Sequence, residues 1–311
     1  MKLLIAILMA GAAVSAADLR IGIVGTDTSH CLQFARILND PSSPEHVPGA
    51  QIVAAFKGGS KDIESSYTRV DRQGAELHDK WKIEIVPTIS ELCRRVDAVL
   101  LLSSDGRVHL AQAREIIAAK KPLFIDKPLA STLEDAREIA RLAKTADVPW
   151  FSSSGFRFGE IARQMKSPDT RGVIVWGPGS KEEHHYLDLG WYAIHPIELM
   201  YTLMGPGCVK VSRAATAESD EIVGIWEDGR IGTVRAMRPQ GEYGAVVIGP
   251  KGVTQSTPKT PFSYRPLAVE IVKFFQSGKP PVAPEETLEI FSFLDAARRS
   301  MDNGGAPVTL R

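Results

Sequence analysis

Pro122-Leu-Phe-Ile-Asp-Lys-Pro-Leu-Ala130 reads as a short apolar strand that carries Asp126 and Lys127 to its carboxyl end, with Pro128 fixing the backbone behind them. Ser131-Thr132-Leu133-Glu134 then has the form of a helix start, so a helix is expected over 132–146. Val148-Pro-Trp-Phe-Ser152 is the next strand. Working back along the chain, Val96 to Ser103 is a strand followed by a helix over 107–119. Ile83 to Val86 and Ala50 to Phe56 are two more strands. Arg20-Ile-Gly-Ile-Val-Gly25 is the first, with a helical pattern from Cys31 to Leu38 behind it. Strands alternating with helices of 10–15 residues specify βαβ units. Near-continuous apolar runs fit strands buried on both faces of a parallel sheet. The fold class is α/β, with a doubly wound parallel sheet over 17–152. In such sheets ligands bind outside the carboxyl ends of the strands, which is where Lys127 is delivered.

After Phe158 the texture changes. Gly172 to Trp176, Glu221 to Trp226, Ile231 to Met237 and Tyr243 to Ile248 read as strands, with turns such as Glu227-Asp-Gly-Arg230 between them. One long helix over about 190–204 interrupts them, and helices over about 264–277 and 285–303 close the chain. This predicts a C-terminal α+β domain, residues 153–311, with a mainly antiparallel sheet.

The chain has 311 residues, 37 basic and 37 acidic side chains, and 44% hydrophobic residues, enough for two domains with proper cores. A net charge of zero gives no expectation of nucleic acid or an anionic membrane as partner, and leaves a homo-oligomer open. Lys2, the apolar run Leu3 to Val14 and the small residues Ser15-Ala16-Ala17 have the three parts of a secretory signal peptide. Cleavage is expected after Ala16, giving an exported protein, periplasmic or secreted. Cys31, Cys93 and Cys208 cannot make a disulfide framework, and none has metal-ligand spacing.

Five segments, in order, resemble the Gfo/Idh/MocA oxidoreductases. Ser103-Ser-Asp-Gly-Arg-Val-His109 is similar to that family's strand-end segment, and Phe124-Ile-Asp-Lys-Pro-Leu-Ala130 to its Glu-Lys-Pro motif, with Asp126 for Glu. Ser154-Gly-Phe-Arg-Phe158 resembles the entry into the second domain. Ile194-His195-Pro-Ile-Glu198 resembles the His-x-x-Asp helix, with Glu198 for Asp, and Gly278 to Val282 resembles the closing segment. The resemblance implies a Rossmann-type first domain binding NAD or NADP, and hydride transfer at a hydroxyl of a carbohydrate or polyol. It makes Lys127 and His195 the catalytic pair, since developing alkoxide character calls for a cation and a base. Arg157, Trp191, Tyr192 and Glu198 are then candidates for holding the substrate, the two aromatic rings suiting the C–H faces of a sugar.

Three departures qualify this. The phosphate loop of the family reads Gly-x-Gly-x-x-Gly, whereas Gly25-Thr-Asp-Thr-Ser-His30 keeps the first glycine alone. Asp27 brings a carboxylate that should repel a pyrophosphate, while Thr26, Thr28, Ser29 and His30 retain groups able to bind one. The second strand ends without the acid that grips a ribose 2′-hydroxyl, and Lys57, Ser60 and Lys61 suit a 2′-phosphate better. Ser103, Ser104, His109 and Asp126 complete the expected cofactor contacts. Trp191 stands where the family often has an aspartate four residues before the histidine. Near it, Glu183, His184, His185 and Asp188 are read as a polar strand rather than a metal site. The alternatives are a binding or structural homologue without redox turnover, and a lyase or hydrolase that oxidises its substrate transiently with a tightly held NAD(P).

Overall fold

The computed structural model describes residues 18–310. The proposed signal peptide lies outside the described residues. The N-terminal half runs β1 (Leu19–Val24), α1 (Ser29–Asn39), β2 (Ala50–Phe56), α2 (Glu64–Tyr67), α3 (Val70–Trp81), β3 (Glu84–Ile85), α4 (Ile89–Arg95), β4 (Ala98–Leu101), α5 (Gly106–Ala118), β5 (Leu123–Asp126), α6 (Leu133–Ala146) and β6 (Trp150–Ser153). The strands form one sheet in the order β3-β2-β1-β4-β5-β6, every pair parallel. Thr28, Thr88 and Thr132 cap α1, α4 and α6 by accepting hydrogen bonds from first-turn backbone N–H groups.

Successive residues of these strands face opposite sides. Val99, Leu101, Leu123 and Ile125 enter one buried cluster; Ile21, Ile23, Leu100 and Phe124 enter another. Both faces are thus apolar, which is why the strands read as unbroken hydrophobic runs.

The second half has α7 (Glu160–Met165), β7 (Gly172–Pro178), α8 (Ile194–Met204), β8 (Cys208–Ala215), β9 (Ser219–Trp226), β10 (Ile231–Met237), β11 (Gly244–Gly249), β12 (Gly252–Gln255), α9 (Arg265–Ser277), α10 (Pro284–Asp302) and β13 (Val308–Thr309). Its sheet, ordered β12-β11-β7-β10-β9-β8-β13, is antiparallel except for the parallel pair β7–β10. The helix expected from residue 190 begins at Ile194, after a single 3₁₀ turn at Asp188–Gly190. All of α8 is buried, apolar and polar residues alike, so its polar residues must find partners inside the protein.

Two helices of the second half pack against the first, α10 on α6 and β6 and α9 on α1. Leu267, Ile271, Val272 and Phe274 of α9 pack with Ile21, Phe34 and Phe151 of the first sheet and its helix, with the rings of Phe151 and Phe274 centred 5.1 Å apart.

Candidate active site

β5 ends at Asp126, and Lys127 begins the turn beyond it through a cis Lys127–Pro128 bond. The Lys127 ammonium donates to the Trp191 carbonyl at 3.3 Å and lies 5.3 Å above the Tyr192 ring. Burial lowers its pKa, with the neighbouring Asp126 carboxylate opposing the shift. His195, in the first turn of α8, packs its ring near Tyr192, Phe156 and Tyr243, at centroid distances of 5.9, 5.5 and 6.0 Å. Its Nδ1 is 2.6 Å from the Ser154 hydroxyl. Burial, aided by the Lys127 and His30 charges, holds its pKa well below 6.5, so the imidazole is neutral at neutral pH. Lys127 and His195 therefore flank one aromatic patch, on which Tyr192 is 41% exposed.

Asp126 faces the other way from Lys127. Its carboxylate is paired with His30 Nδ1, and the other nitrogen of His30 meets the Tyr264 hydroxyl. Burial alone would raise the Asp126 pKa; the charges of His30 and Lys127 and the His30 hydrogen bond bring it below the ordinary value. His30 sits at the third glycine position of the phosphate loop, but its ring reaches back to the catalytic strand. Tyr264 was not foreseen: it lies 234 residues from His30, a separation no local pattern reports.

The expected cofactor residues divide into two groups. Asp27 is fully buried, and the Ser66 hydroxyl, the Ser104 hydroxyl and the Ser104 backbone N–H donate to it at 2.7, 2.7 and 3.2 Å. Its carboxylate is thus held by donors of the kind that bind phosphate, and is not left to repel an incoming anion. Thr28 caps α1, and Ser29 is exposed at that helix's N-terminus. Gly25 is indispensable as glycine: at φ +99° a Cβ would meet the Ser103 nitrogen at 2.2 Å. This donor set suits an anionic dinucleotide, with Asp27 presently holding part of it.

The second group has structural partners and corrects the sequence expectation. His109 is fully buried, with its nitrogens 2.7 Å from the Ser103 carbonyl and 3.2 Å from the Leu129 carbonyl, so it braces β4 against β5 and offers nothing to a ligand. Thr26 donates to the Val70 carbonyl at 2.8 Å, and the Ser103 hydroxyl to Gln112 at 2.9 Å. The Ser60 hydroxyl donates to Asp105 at 2.5 Å, while Lys57 pairs with Asp71 at 2.8 Å.

Asp105, which the sequence did not single out, also accepts from His185 at 2.9 Å and from Arg107, tying the loops after β2 and β4 to the second half. Burial tends to raise its pKa, but the hydrogen bonds from His185, Arg107 and Ser60 overcome that and hold the carboxyl well below the ordinary range. Asp188 instead binds Arg213 at 2.7 Å, and His184 turns to Glu182, so the polar run 182–188 spreads over separate partners. Of the substrate candidates, Glu198 and Arg157 are both buried and turned to each other. Glu198 accepts from the Ser154 backbone at 2.8 Å, the Ser153 hydroxyl at 3.2 Å and Arg157 Nε at 3.4 Å. They support the Ser154 turn from beneath, and Tyr192 alone of the four candidates presents a largely open ring.

Residues 19–154 match the family described as GFO_IDH_MocA, an oxidoreductase family with an NAD-binding Rossmann fold. The putative oxidoreductase YceM of Salmonella typhimurium is 30% identical over 89 residues, 29% of each chain. The inositol 2-dehydrogenase of Cereibacter sphaeroides is 34% identical over 124 residues, 39% of this chain and 31% of that protein. The matches thus span less than a third of these relatives' own length. Over nearly the whole chain the fold is shared with the myo-inositol dehydrogenase of Lactobacillus casei, solved in complex with NAD(H) and myo-inositol. That likeness has a TM-score of 0.73 at 18% identity, covering 95% of this chain and 97% of that one. Residues 19–154, with the Lys127 strand end inside them, are thus similar to the Gfo/Idh/MocA oxidoreductase family.

Proposed function

We propose that the protein is an NAD(P)-dependent oxidoreductase acting on a hydroxyl of a carbohydrate or polyol. The observation that carries this reading is the shared patch of Lys127, Tyr192 and neutral His195 at the carboxyl end of β5. A bound nicotinamide dinucleotide would supply the hydride acceptor, held by Ser104, Ser66 and the N-terminus of α1 once Asp27 gives up its donors. Lys127, a cation in a partly dry site, would stabilise the oxygen as it gains negative charge. His195 would take the hydroxyl proton at Nε2. That requires Nδ1 to carry the ring proton and donate to the Ser154 hydroxyl, which can also accept from the Phe156 backbone. In that tautomer the Ser154 hydroxyl accepts from both groups and turns its own proton elsewhere, while Glu198 fixes Ser154 by accepting from its backbone N–H. Tyr192, the exposed ring of the patch, would face the apolar side of a sugar.

One observation favours the non-redox alternative: the Asp27 carboxylate fills the donor cluster that a phosphate needs. The test is calorimetric titration of the purified protein with NAD and NADP, followed by turnover assays with inositols and aldoses. The redox reading expects dinucleotide binding and reduction of the cofactor by at least one polyol. No binding by either the wild type or Asp27→Gly would transfer the case to a binding homologue.

A further inference from the structure

We infer that His30 is a positioning residue for Lys127: it fixes the Asp126 carboxylate, and that carboxylate sets the direction in which Lys127 leaves β5. The purpose of the device rests on the redox reading above; its geometry does not. The two oxygens of Asp126 have separate tasks. Oδ1 accepts from the backbone N–H of Lys127 at 2.9 Å, and Oδ2 is held by Nδ1 of His30. Lys127 then carries its ammonium to the Trp191 carbonyl and over the Tyr192 ring. A bond from a side chain to the next backbone N–H is local and easily exchanged for another partner. Gripped at its other oxygen by a ring N–H, the carboxylate cannot turn away, and the bond is strong because the acceptor is charged.

His30 is itself held in place. Its backbone is in the first turn of α1, just behind the Thr28 cap. Its Nε2 meets the Tyr264 hydroxyl, and the two rings are centred 4.7 Å apart. Tyr264 directly precedes α9 and also packs on Phe34, one helical turn beyond His30, at 5.8 Å. A hydroxyl donates or accepts, so Tyr264 satisfies Nε2 whether or not that nitrogen carries a proton, and in both cases Nδ1 donates to Asp126. The line Tyr264–His30–Asp126–Lys127 starts in the second half, passes through the helix of the phosphate loop and ends at the catalytic strand. A glycine at position 30 would have no side chain to make it.

The same contacts keep Asp126 ionised. Burial would raise its pKa, and the His30 charge and hydrogen bond, with the Lys127 charge, bring it down instead. The carboxylate so maintained opposes the loss of charge that burial imposes on Lys127. An oxygen gaining negative charge needs a cation aimed at one place, and a misplacement of about 1 Å can cost ~10²-fold in rate.

The test is amide hydrogen exchange of the whole isotope-labelled protein, read by NMR at Lys127 against the other amides of β5. His30→Gln places its amide nitrogen near the position of Nε2 and gives up the grip on Asp126. Lys127 should then exchange about tenfold faster relative to its β5 neighbours, as for a lost hydrogen bond to a charged acceptor. His30→Asn places a donor near the position of Nδ1 and should keep the Lys127 rate within about twofold of wild type. Tyr264→Phe frees the His30 ring and should raise the rate about threefold. Should circular dichroism show His30→Gln unfolded, Tyr264→Phe decides the matter, and an unchanged rate there overturns the proposal. With a polyol substrate, His30→Gln should lower kcat about tenfold and leave KM within about twofold. A merely structural His30 would speed all of β5 together. That result, an unchanged Lys127 rate in folded His30→Gln, or equal losses in the Asn and Gln variants would each overturn the proposal. Wild type without turnover would sink the redox reading and leave the exchange result to stand by itself.

Discussion

Two places on the N-terminal sheet's ligand edge, the ends of β1 and β5, are built differently. At β1 the glycine loop has lost two of its three glycines, and Asp27 and His30 have turned the space inward, each bonded to the protein's own groups. At β5 the turn after Asp126 presents Lys127 toward Tyr192, beside which His195 also lies. The contrast teaches that a loop can lose its recognition sequence and yet keep an anion-binding donor set, because the donors reside on other segments. Ser66 and Ser104 are 39 and 77 residues from Asp27.

The largest effect should come from the intact end. Lys127→Ala and His195→Ala should each lower kcat/KM by ~10²- to 10⁴-fold, the size of general acid–base contributions. The double variant should fall far short of the product of the two, because residues acting as a unit are not additive. Steady-state kinetics with circular dichroism as a folding control decides this, and additive losses would break the pairing.

Next in size is His30→Ala. It leaves the Asp126 carboxylate, 4% exposed, without its imidazole partner. A loss of ~3–5 kcal/mol is expected for breaking one side of a buried pair. Urea unfolding measures it; a change under 1 kcal/mol would show that the pair contributes little.

Asp27→Gly frees Ser66 and Ser104 for a phosphate, and should tighten dinucleotide binding by roughly tenfold, about 1.4 kcal/mol. Because those same donors lose an internal acceptor, the unliganded protein should be destabilised at the same time. Tighter binding with no loss of stability would contradict the picture of a carboxylate holding the phosphate's place. Tyr264→Phe removes one hydrogen bond to His30 and should cost ~1 kcal/mol.

The pH profile sharpens the other side of the comparison. His195 has a folded-state pKa well below 6.5, so below that pH the unfolded chain binds a proton that the folded protein refuses. Stability should therefore fall as pH drops below about 6.5, and the acid limb of kcat/KM should lie below 6.5 as well. Thermal melts of wild type and His195→Gln across that range check the sign: the variant should lose less on the acid side.

Much of this fold was legible. The β2 bounds, the helices after β4 and β5, and the four strands between Gly172 and Ile248 follow from apolar runs, caps and turns. The sequence does not mark β8, α3 or the short edge strands β12 and β13. In β8, Val209, Lys210 and Ser212 dilute the apolar alternation, and β12 is exposed throughout, so neither bears the mark of a buried strand. The motifs single out Lys127 and His195, and each of them lies beside Tyr192. The roles of His109, Arg157 and Glu198 were not legible, because a polar residue's sequence does not tell whether its partner is a ligand or a carbonyl. Tyr264 and Asp105 owe their places to contacts that only the folded chain creates.

The placement of α9 bears on how this chain can be handled. A fragment ending after β6 would contain every strand of the first sheet, yet lack Leu267, Ile271 and Phe274, which cover one of its faces. Phe34, Phe124 and Phe151 would then meet water, a lure for aggregation rather than the makings of an autonomous nucleotide-binding module. Grafting or expressing the N-terminal unit alone would call for carrying α9 along as a separate piece, and mixing the two fragments offers a direct assay of how strongly the halves recognise each other.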